Sequence, residues 1–389
     1  MDVAARMERL GTESAFEVLA KAKRLEAQGR HIIHLEIGQP DFQTPSHICE
    51  AAFRAMKEGY TGYSPAAGLL ELREAIANHI TTTRGVAVDP SEVVVTPGAK
   101  PIIFFTILAL VNPGDDVIYP NPGFPVYESV INFAEGNPVP LPLREEVDFR
   151  FRLEDLEQAV SARTKLLILN SPQNPTGGLL TATDLEAIAR LAETHNFYIL
   201  SDEIYSRMLY GETHQSIIRL PGMKERTILL DGFSKTYAMT GWRLGYGVAP
   251  MAIAAALEQL MINSNSCTSS FTQMAGVEAL SGSQDFVTHM VDAFQQRRDA
   301  IVAGLNAIDG IQCLNPAGAF YVFPNVKQLP MNCQALADYL LEEAGVALLA
   351  GTAFGEFGDG YLRLSYANSI ENIQEALARI KAAISALPV

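Results

Sequence analysis

Residues 227–248, TILLDGFSKTYAMTGWRLGYGV, put a lysine in a loop between two apolar segments. Thr227–Asp231 and Leu244–Val248 are short and apolar on consecutive positions, the pattern of strands buried on both faces. Between them, Lys235 sits among small and hydroxylated residues. Working outward, the same pattern predicts strands at Phe197–Ser201, Lys165–Asn170, Asp116–Tyr119 and Val93–Thr96. Helical stretches separate them at Leu69–Arg84, Lys100–Val111 and Ala182–Thr194, and another follows at Met251–Asn263. Strand alternating with helix predicts an α/β fold: a three-layer αβα domain whose mostly parallel sheet is covered on both faces.

The pattern changes after about residue 285. Phe286–Ile308 reads as one long helix. Strands at Phe320–Phe323, Val346–Leu349 and Tyr361–Tyr366 follow, with a helix at Gln334–Ala344. A closing helix repeats Ile370, Ile373, Leu377, Ile380 and Ile384 on one face. The expected organisation is a large domain over 46–285 and a smaller α+β domain made of 1–45 together with 286–389. The segment before Gln39 is too short for its own core and is expected to pack against the smaller domain.

Composition narrows the function. The 389 residues carry 29 Lys+Arg against 44 Asp+Glu, a net charge of −15, with no basic cluster, so a nucleic-acid partner is not expected. Cys49, Cys267, Cys313 and Cys333 are far apart and the seven histidines form no HExxH, which argues against a zinc site or disulfide scaffold. The longest apolar run, Ile102–Val111, is far short of the roughly 20 residues that span a bilayer. The charged N-terminus, MDVAARMERLGTESAF, lacks a signal core. These features predict a cytoplasmic enzyme.

A loop lysine alone reads as solvated, but in a restricted apolar setting its pKa falls and it can form a Schiff base with a carbonyl compound. Other parts of one such site are spread along the chain. They are Gly38-Gln39-Pro40-Asp41-Phe42-Gln43-Thr44-Pro45, Tyr63 with Gly68 and Leu72-Arg73, and Asn170-Ser171-Pro172-Gln173-Asn174-Pro175-Thr176-Gly177. Asp202-Glu203-Ile204-Tyr205, the SKTYAMTGWRLGY loop and Tyr361-Leu362-Arg363-Leu364-Ser365-Tyr366 complete the set. In this order the segments resemble the aspartate aminotransferase-like class I/II family of fold-type I pyridoxal-phosphate enzymes, nearly end to end.

The resemblance implies pyridoxal 5′-phosphate as cofactor, with Lys235 as its Schiff-base lysine and Asp202 at the ring nitrogen. Asp202 ends an apolar strand at the carboxyl edge where open α/β sheets place ligands, and its carboxylate would keep the pyridine protonated. Tyr205 and Asn174 match the positions that hydrogen-bond the ring 3′-oxygen, and Phe124 the aromatic that stacks on the ring. Gly98, Ala99 and Lys100 end a strand and open a helix, a natural anion site. Ser234 and Arg243 match the remaining phosphate ligands. Tyr63 matches a tyrosine reaching the phosphate from a neighbouring subunit, which implies a homodimer. Arg363, a charge in an apolar strand, is implied to bind the substrate α-carboxylate together with Gly38; a structural ion pair is the competing explanation.

The implied reaction is ping-pong transamination between an L-amino acid and a 2-oxo acid, with Lys235 as the base. A carbon–sulfur β-lyase uses the same residues and is the alternative. A PLP-binding regulator is a further rival, but too few residues precede Gly38 for a DNA-binding module. Lys100 matches a lysine that pairs with a distal carboxylate in some aspartate-using members, so acidic substrates are one expectation. An exposed first-turn lysine is the other. Phe16 and Phe124 could instead line a pocket for aromatic or aliphatic side chains. The arginine that some members supply from the partner subunit has no counterpart in Asn263–Thr272.

Overall fold

The computed structural model describes residues 3–387. In chain order its elements are α1 (Ser14–Ala27), β1 (Ile33–His34), α2 (Ser46–Lys57), α3 (Leu70–Arg84), β2 (Val93–Thr96), α4 (Lys100–Leu110), β3 (Asp116–Asn121), α5 (Val126–Phe133) and β4 (Asn137–Pro142). They continue with α6 (Leu153–Ala159), β5 (Thr164–Asn170), α7 (Ala182–His195), β6 (Tyr198–Asp202), β7 (Thr227–Gly232), β8 (Gly245–Val248), α8 (Met251–Ser264), α9 (Ser270–Ser281) and α10 (Asp285–Asn306). Last come β9 (Tyr321–Val322), α11 (Cys333–Tyr339), β10 (Val346–Ala347), β11 (Leu349–Ala350), β12 (Leu362–Ser365) and α12 (Ile370–Ser385).

Seven strands form the main sheet in the order β2-β8-β7-β6-β5-β3-β4. All pairs from β7 to β4 are parallel; β8 runs antiparallel to both its neighbours. That exception has a covalent reason. The loop joining β7 to β8 lets the chain turn back beside itself, whereas the parallel pairs need helical crossovers. Side chains alternate between the two faces: Leu166, Ile168, Leu200, Ile228 and Leu230 pack into one apolar cluster, and Leu167, Leu169 and Ile199 into another. Because β5, β6 and β7 are parallel, their last residues Asn170, Asp202 and Gly232 emerge along one edge.

The predicted strands and helices of this region all form, with ends shifted by up to two residues. Helices α2, α5, α6 and α9 and strand β4 were not expected. Strand β4 reads Asn-Pro-Val-Pro-Leu-Pro, and proline argues against a strand because it cannot donate to a ladder. Here it sits on the sheet edge, bonded to β3 alone, where the missing N–H groups face outward.

Beyond α10, two expectations need correction. Val346–Leu349 is not one strand. Val346–Ala347 pairs in parallel with β1, while Leu349–Ala350 pairs antiparallel with β12. The helix expected over Gln334–Ala344 is α-helical only to Tyr339; Leu340–Ala344 is a π-helical turn that ends at Gly345, whose φ of +66° suits glycine. The N-terminal segment packs where expected: β1 pairs with β10, and Ala22 and Ile32 share a small cluster with Leu341 and Ala347. No described helix is long and apolar enough to cross a membrane.

Candidate active site

A cleft of about 500 Å³ opens at the carboxyl edge of the main sheet, walled on its far side by β12 and the segment after β1. Of the predicted site residues, all line it except Gly98 and Tyr63. The structure therefore gathers Phe16, Gly38, Ala99, Lys100, Phe124, Asn174, Asp202, Tyr205, Ser234, Lys235, Arg243 and Arg363 around one space, from positions up to 347 residues apart. Gly98 supports the site from behind. With φ +90°, it has Arg243 Nη2 2.2 Å from where a Cβ would stand. Tyr63 lies apart and is 94% exposed within the single chain.

Asp202, the last residue of β6, is buried and faces no cation. The Tyr127 hydroxyl donates to Oδ2 at 2.7 Å and the Ile204 N–H to Oδ1 at 3.2 Å. Burial outweighs these donors and pushes the carboxyl up to about 7. The Asn170 amide holds this corner: Nδ2 donates to the Asp202 carbonyl at 3.1 Å and Oδ1 accepts the Asn174 N–H at 2.9 Å.

Lys235 follows β7 and donates from Nζ to the Gly38 carbonyl at 2.6 Å. Burial first, then the charges of Arg363 and Arg243, pull its amine down to about 8. Close approach fixes the glycine at 38, since a Cβ there would stand 2.0 Å from the Tyr321 hydroxyl. That hydroxyl pairs with Tyr205 Oη at 2.8 Å.

Arg363 is buried in β12, its guanidinium 4.6 Å from the Tyr321 ring and 4.9 Å from that of Phe354. Nη1 donates to Asn174 Oδ1 at 3.3 Å, Nη2 to the Glu36 carbonyl, and the buried Nε to nothing. These partners are neutral, so the ion-pair explanation for its burial fails; a buried cation with an unsatisfied donor is matched by an incoming carboxylate. Arg243, at φ +54°, likewise donates only to carbonyls, those of Thr240 at 2.9 Å and Pro97 at 3.4 Å. Its neighbour is the start of α4, where Ala99 carries no side-chain cap. Free N–H groups, a strained arginine and Ser234 make this end suited to an anion.

Lys100 stands at the mouth of the cleft, ion-paired with Glu13 and 5.4 Å from the Phe124 ring. Glu13, Tyr127, Asn170 and Tyr321 line the cleft as well but carried no predicted role. Asn170 had a usable signal, a polar residue closing an apolar strand; Tyr127 falls one helical turn beyond Phe124. Tyr321 sits in an ordinary apolar strand, and Glu13 in a segment without a motif.

These groups fit pyridoxal phosphate: a proton-seeking carboxyl for the ring nitrogen, an anion end for the phosphate and a low-pKa amine for the aldehyde. Residues 30–380 match the family described as aminotransferase class I and II. This chain belongs to that family. The aspartate aminotransferase of Geobacillus stearothermophilus is 40% identical over 387 residues, covering 98% of each chain. The aromatic-amino-acid aminotransferase 2 of Thermococcus litoralis is 40% identical over 360 residues, 91% of this chain and 92% of that protein. The structure of Thermus thermophilus aspartate aminotransferase with maleate superposes with a TM-score of 0.95 at 39% identity, covering 98% of this chain and all of that one. The protein is thus a pyridoxal-phosphate-dependent aminotransferase with the aspartate aminotransferase fold, acting between amino acids and 2-oxo acids.

Proposed function

We propose that Lys235 is the base of this aminotransferase, that Asp202 serves the cofactor ring, and that Arg363 binds the substrate α-carboxylate, with aspartate or glutamate among the preferred donors. The observation carrying this reading is that an unpartnered buried guanidinium and a low-pKa amine share one cleft with a proton-seeking carboxyl. When bound, the cofactor supplies an aldehyde and an electron-withdrawing protonated ring. Tyr127 orients Asp202 by donating to Oδ2. Asn174 and Tyr205 face the cleft to hydrogen-bond the ring oxygen, Phe124 to stack, and Ala99, Lys100, Ser234 and Arg243 to form the phosphate end, with Gly98 behind Arg243. Arg363 Nε takes the substrate carboxylate and fixes the α-carbon within reach of Nζ. Lys235, with its proton affinity lowered by burial to about 8, has a free amine available near pH 8, and there it collects a proton and returns it on the other side of the exchange.

Acidic substrates are supported by Lys100 at the cleft mouth and by the relatives named aspartate aminotransferase. A distal carboxylate would take Glu13's place on Lys100, with Phe16 beside it. The division into 46–285 and 1–45 with 286–389 belongs to the same proposal, as do a cytoplasmic location and a homodimer in which Tyr63 enters the partner's site. Residues 1–2 and 388–389 of the smaller domain lie outside the described residues. In the test, the holoprotein is given single amino acids without oxo acid and its absorbance followed, for wild type and Lys100→Ala. A stoichiometric spectral change, selectively weakened by the substitution for acidic donors, is expected. Equal weakening for all donors, or none, contradicts the acidic preference; sustained release of pyruvate and ammonia contradicts transamination.

A further inference from the structure

Behind the cleft wall lies a second, fully buried cluster of charges. Arg84 closes α3, and its side chain turns inward rather than to solvent. Nε donates to Glu203 Oε2 at 2.7 Å and Nη2 to Asp231 Oδ2 at 3.2 Å. Glu203 also accepts from Ser201 at 3.0 Å and Ser216 at 2.5 Å, and meets His214 Nε2 at 2.8 Å. Asp231 also accepts from the Gly232 N–H at 2.7 Å and from Ser206 at 3.2 Å.

The two carboxylates stand on neighbouring strand ends. Glu203 immediately follows Asp202 at the end of β6, and Asp231 lies in β7, four residues before Lys235. The parallel ladder between the two strands ends there, with Asp202 paired to Leu230 and, beyond it, the Glu203 N–H on the Leu230 carbonyl at 2.9 Å. We propose that Arg84 is a positioning residue: its guanidinium, bridging Glu203 and Asp231, fixes the strand end that bears Asp202 against the strand end that leads to Lys235.

The geometry favours a positioning role over simple filling. A guanidinium presents two donors in a rigid plane and so sets the separation of two acceptors, which an ammonium does not. Catalytic constellations depend on such support, since displacements near 1 Å cost about 10²-fold in rate. Other titratable groups facing the cluster are His79 from α3, Arg207 and His214 from the segment after β6, Tyr237 from the loop after β7, and Tyr246 from β8.

This inference rests on the roles proposed above for Lys235 and Asp202, so the experiment begins with wild-type holoprotein reduced by borohydride and mapped. Absence of label on Lys235 there contradicts those roles and leaves the bridge without a site to position. With Lys235 labelled, Arg84→Lys is compared with wild type in three readouts: cofactor affinity by titration of the cofactor-free protein, the pH midpoint of holoprotein absorbance, and the separate values of kcat and KM. The expected result is a shifted midpoint, cofactor affinity weaker by about tenfold, and kcat down ~10-fold or more with little change in KM. Asp231→Asn, which weakens the link to β7 and leaves Arg84 on Glu203, should move the same readouts less and carries the test should Arg84→Lys fail to fold. Folded variants with wild-type midpoint, cofactor affinity and kcat, whatever their melting temperature, would overturn the proposal.

Discussion

Asp202 and Glu203 are consecutive, both buried, and point to opposite sides of the same strand end. On the cleft side, Asp202 has only a tyrosine hydroxyl and one N–H, and burial holds its carboxyl up at about 7. On the inner side, Glu203 is surrounded by Arg84, His214, Ser201 and Ser216, and these outweigh burial to bring it down to about 2. The same contrast separates the arginines: Arg84 meets two carboxylates and gives its remaining nitrogen to the Thr83 hydroxyl, whereas Arg363 meets neutral oxygens and keeps one buried donor free. Charge compensated within the chain is a structural element; charge left uncompensated in a cleft is a request for a ligand.

The largest test of this contrast is removal of the amine. Lys235→Ala should lower transamination by ~10⁴-fold or more while leaving the circular dichroism of the fold unchanged. A loss below tenfold would place the base elsewhere.

Asp202→Asn should reduce kcat on the order of 10²–10³-fold. It should also stabilise the cofactor-free protein at pH 8. Folding raises the pKa of Asp202 from 3.8 to about 7, so the native state holds a proton that the unfolded chain has released between those values, and stability declines as pH climbs through that window. The melting temperature of the variant should therefore exceed wild type at pH 8 and match it near pH 3. A lower melting temperature at pH 8 would mean that the carboxylate is compensated after all.

Glu203→Ala should do the opposite on the inner side, costing about 3 kcal/mol in denaturant unfolding, because it removes the closer of the two carboxylates on buried Arg84 and leaves it Asp231 alone. Its native pKa is depressed to about 2, so the charged form stabilises the fold above pH 4.5 and this contribution disappears as pH falls toward 2. The difference from wild type should narrow over that range. The smallest effect belongs to the rim. Lys100→Ala should raise KM for acidic donors about tenfold and leave aromatic donors within twofold, since the Lys100–Glu13 pair is partly exposed.

The residues that gather in this cleft were picked out in the sequence mainly by the resemblance of their segments, and three of them also break an apolar pattern: Asp202 closes FYILS, Arg363 interrupts YLRLSY, and Lys235 follows TILLD. The main sheet was legible from local pattern alone, its strands being apolar on consecutive positions. Strand β4 was hidden by its three prolines, which only an edge position tolerates. Partnerships set by tertiary folding left no local trace. Arg84 reads as an ordinary helix-ending arginine until the fold carries Glu203, 119 residues away, to its side chain. The Glu13–Lys100 pair, 87 residues apart, and the Tyr127–Asp202 bond, 75 apart, were hidden likewise.

The central claim is that one amine in the cleft, free of any carboxylate, is the point of covalent attachment. Borohydride reduction of the holoprotein followed by peptide mapping tests it most directly. The account predicts a single pyridoxyl label on Lys235; a label on another lysine, or no label from a protein that nevertheless transaminates, would contradict it.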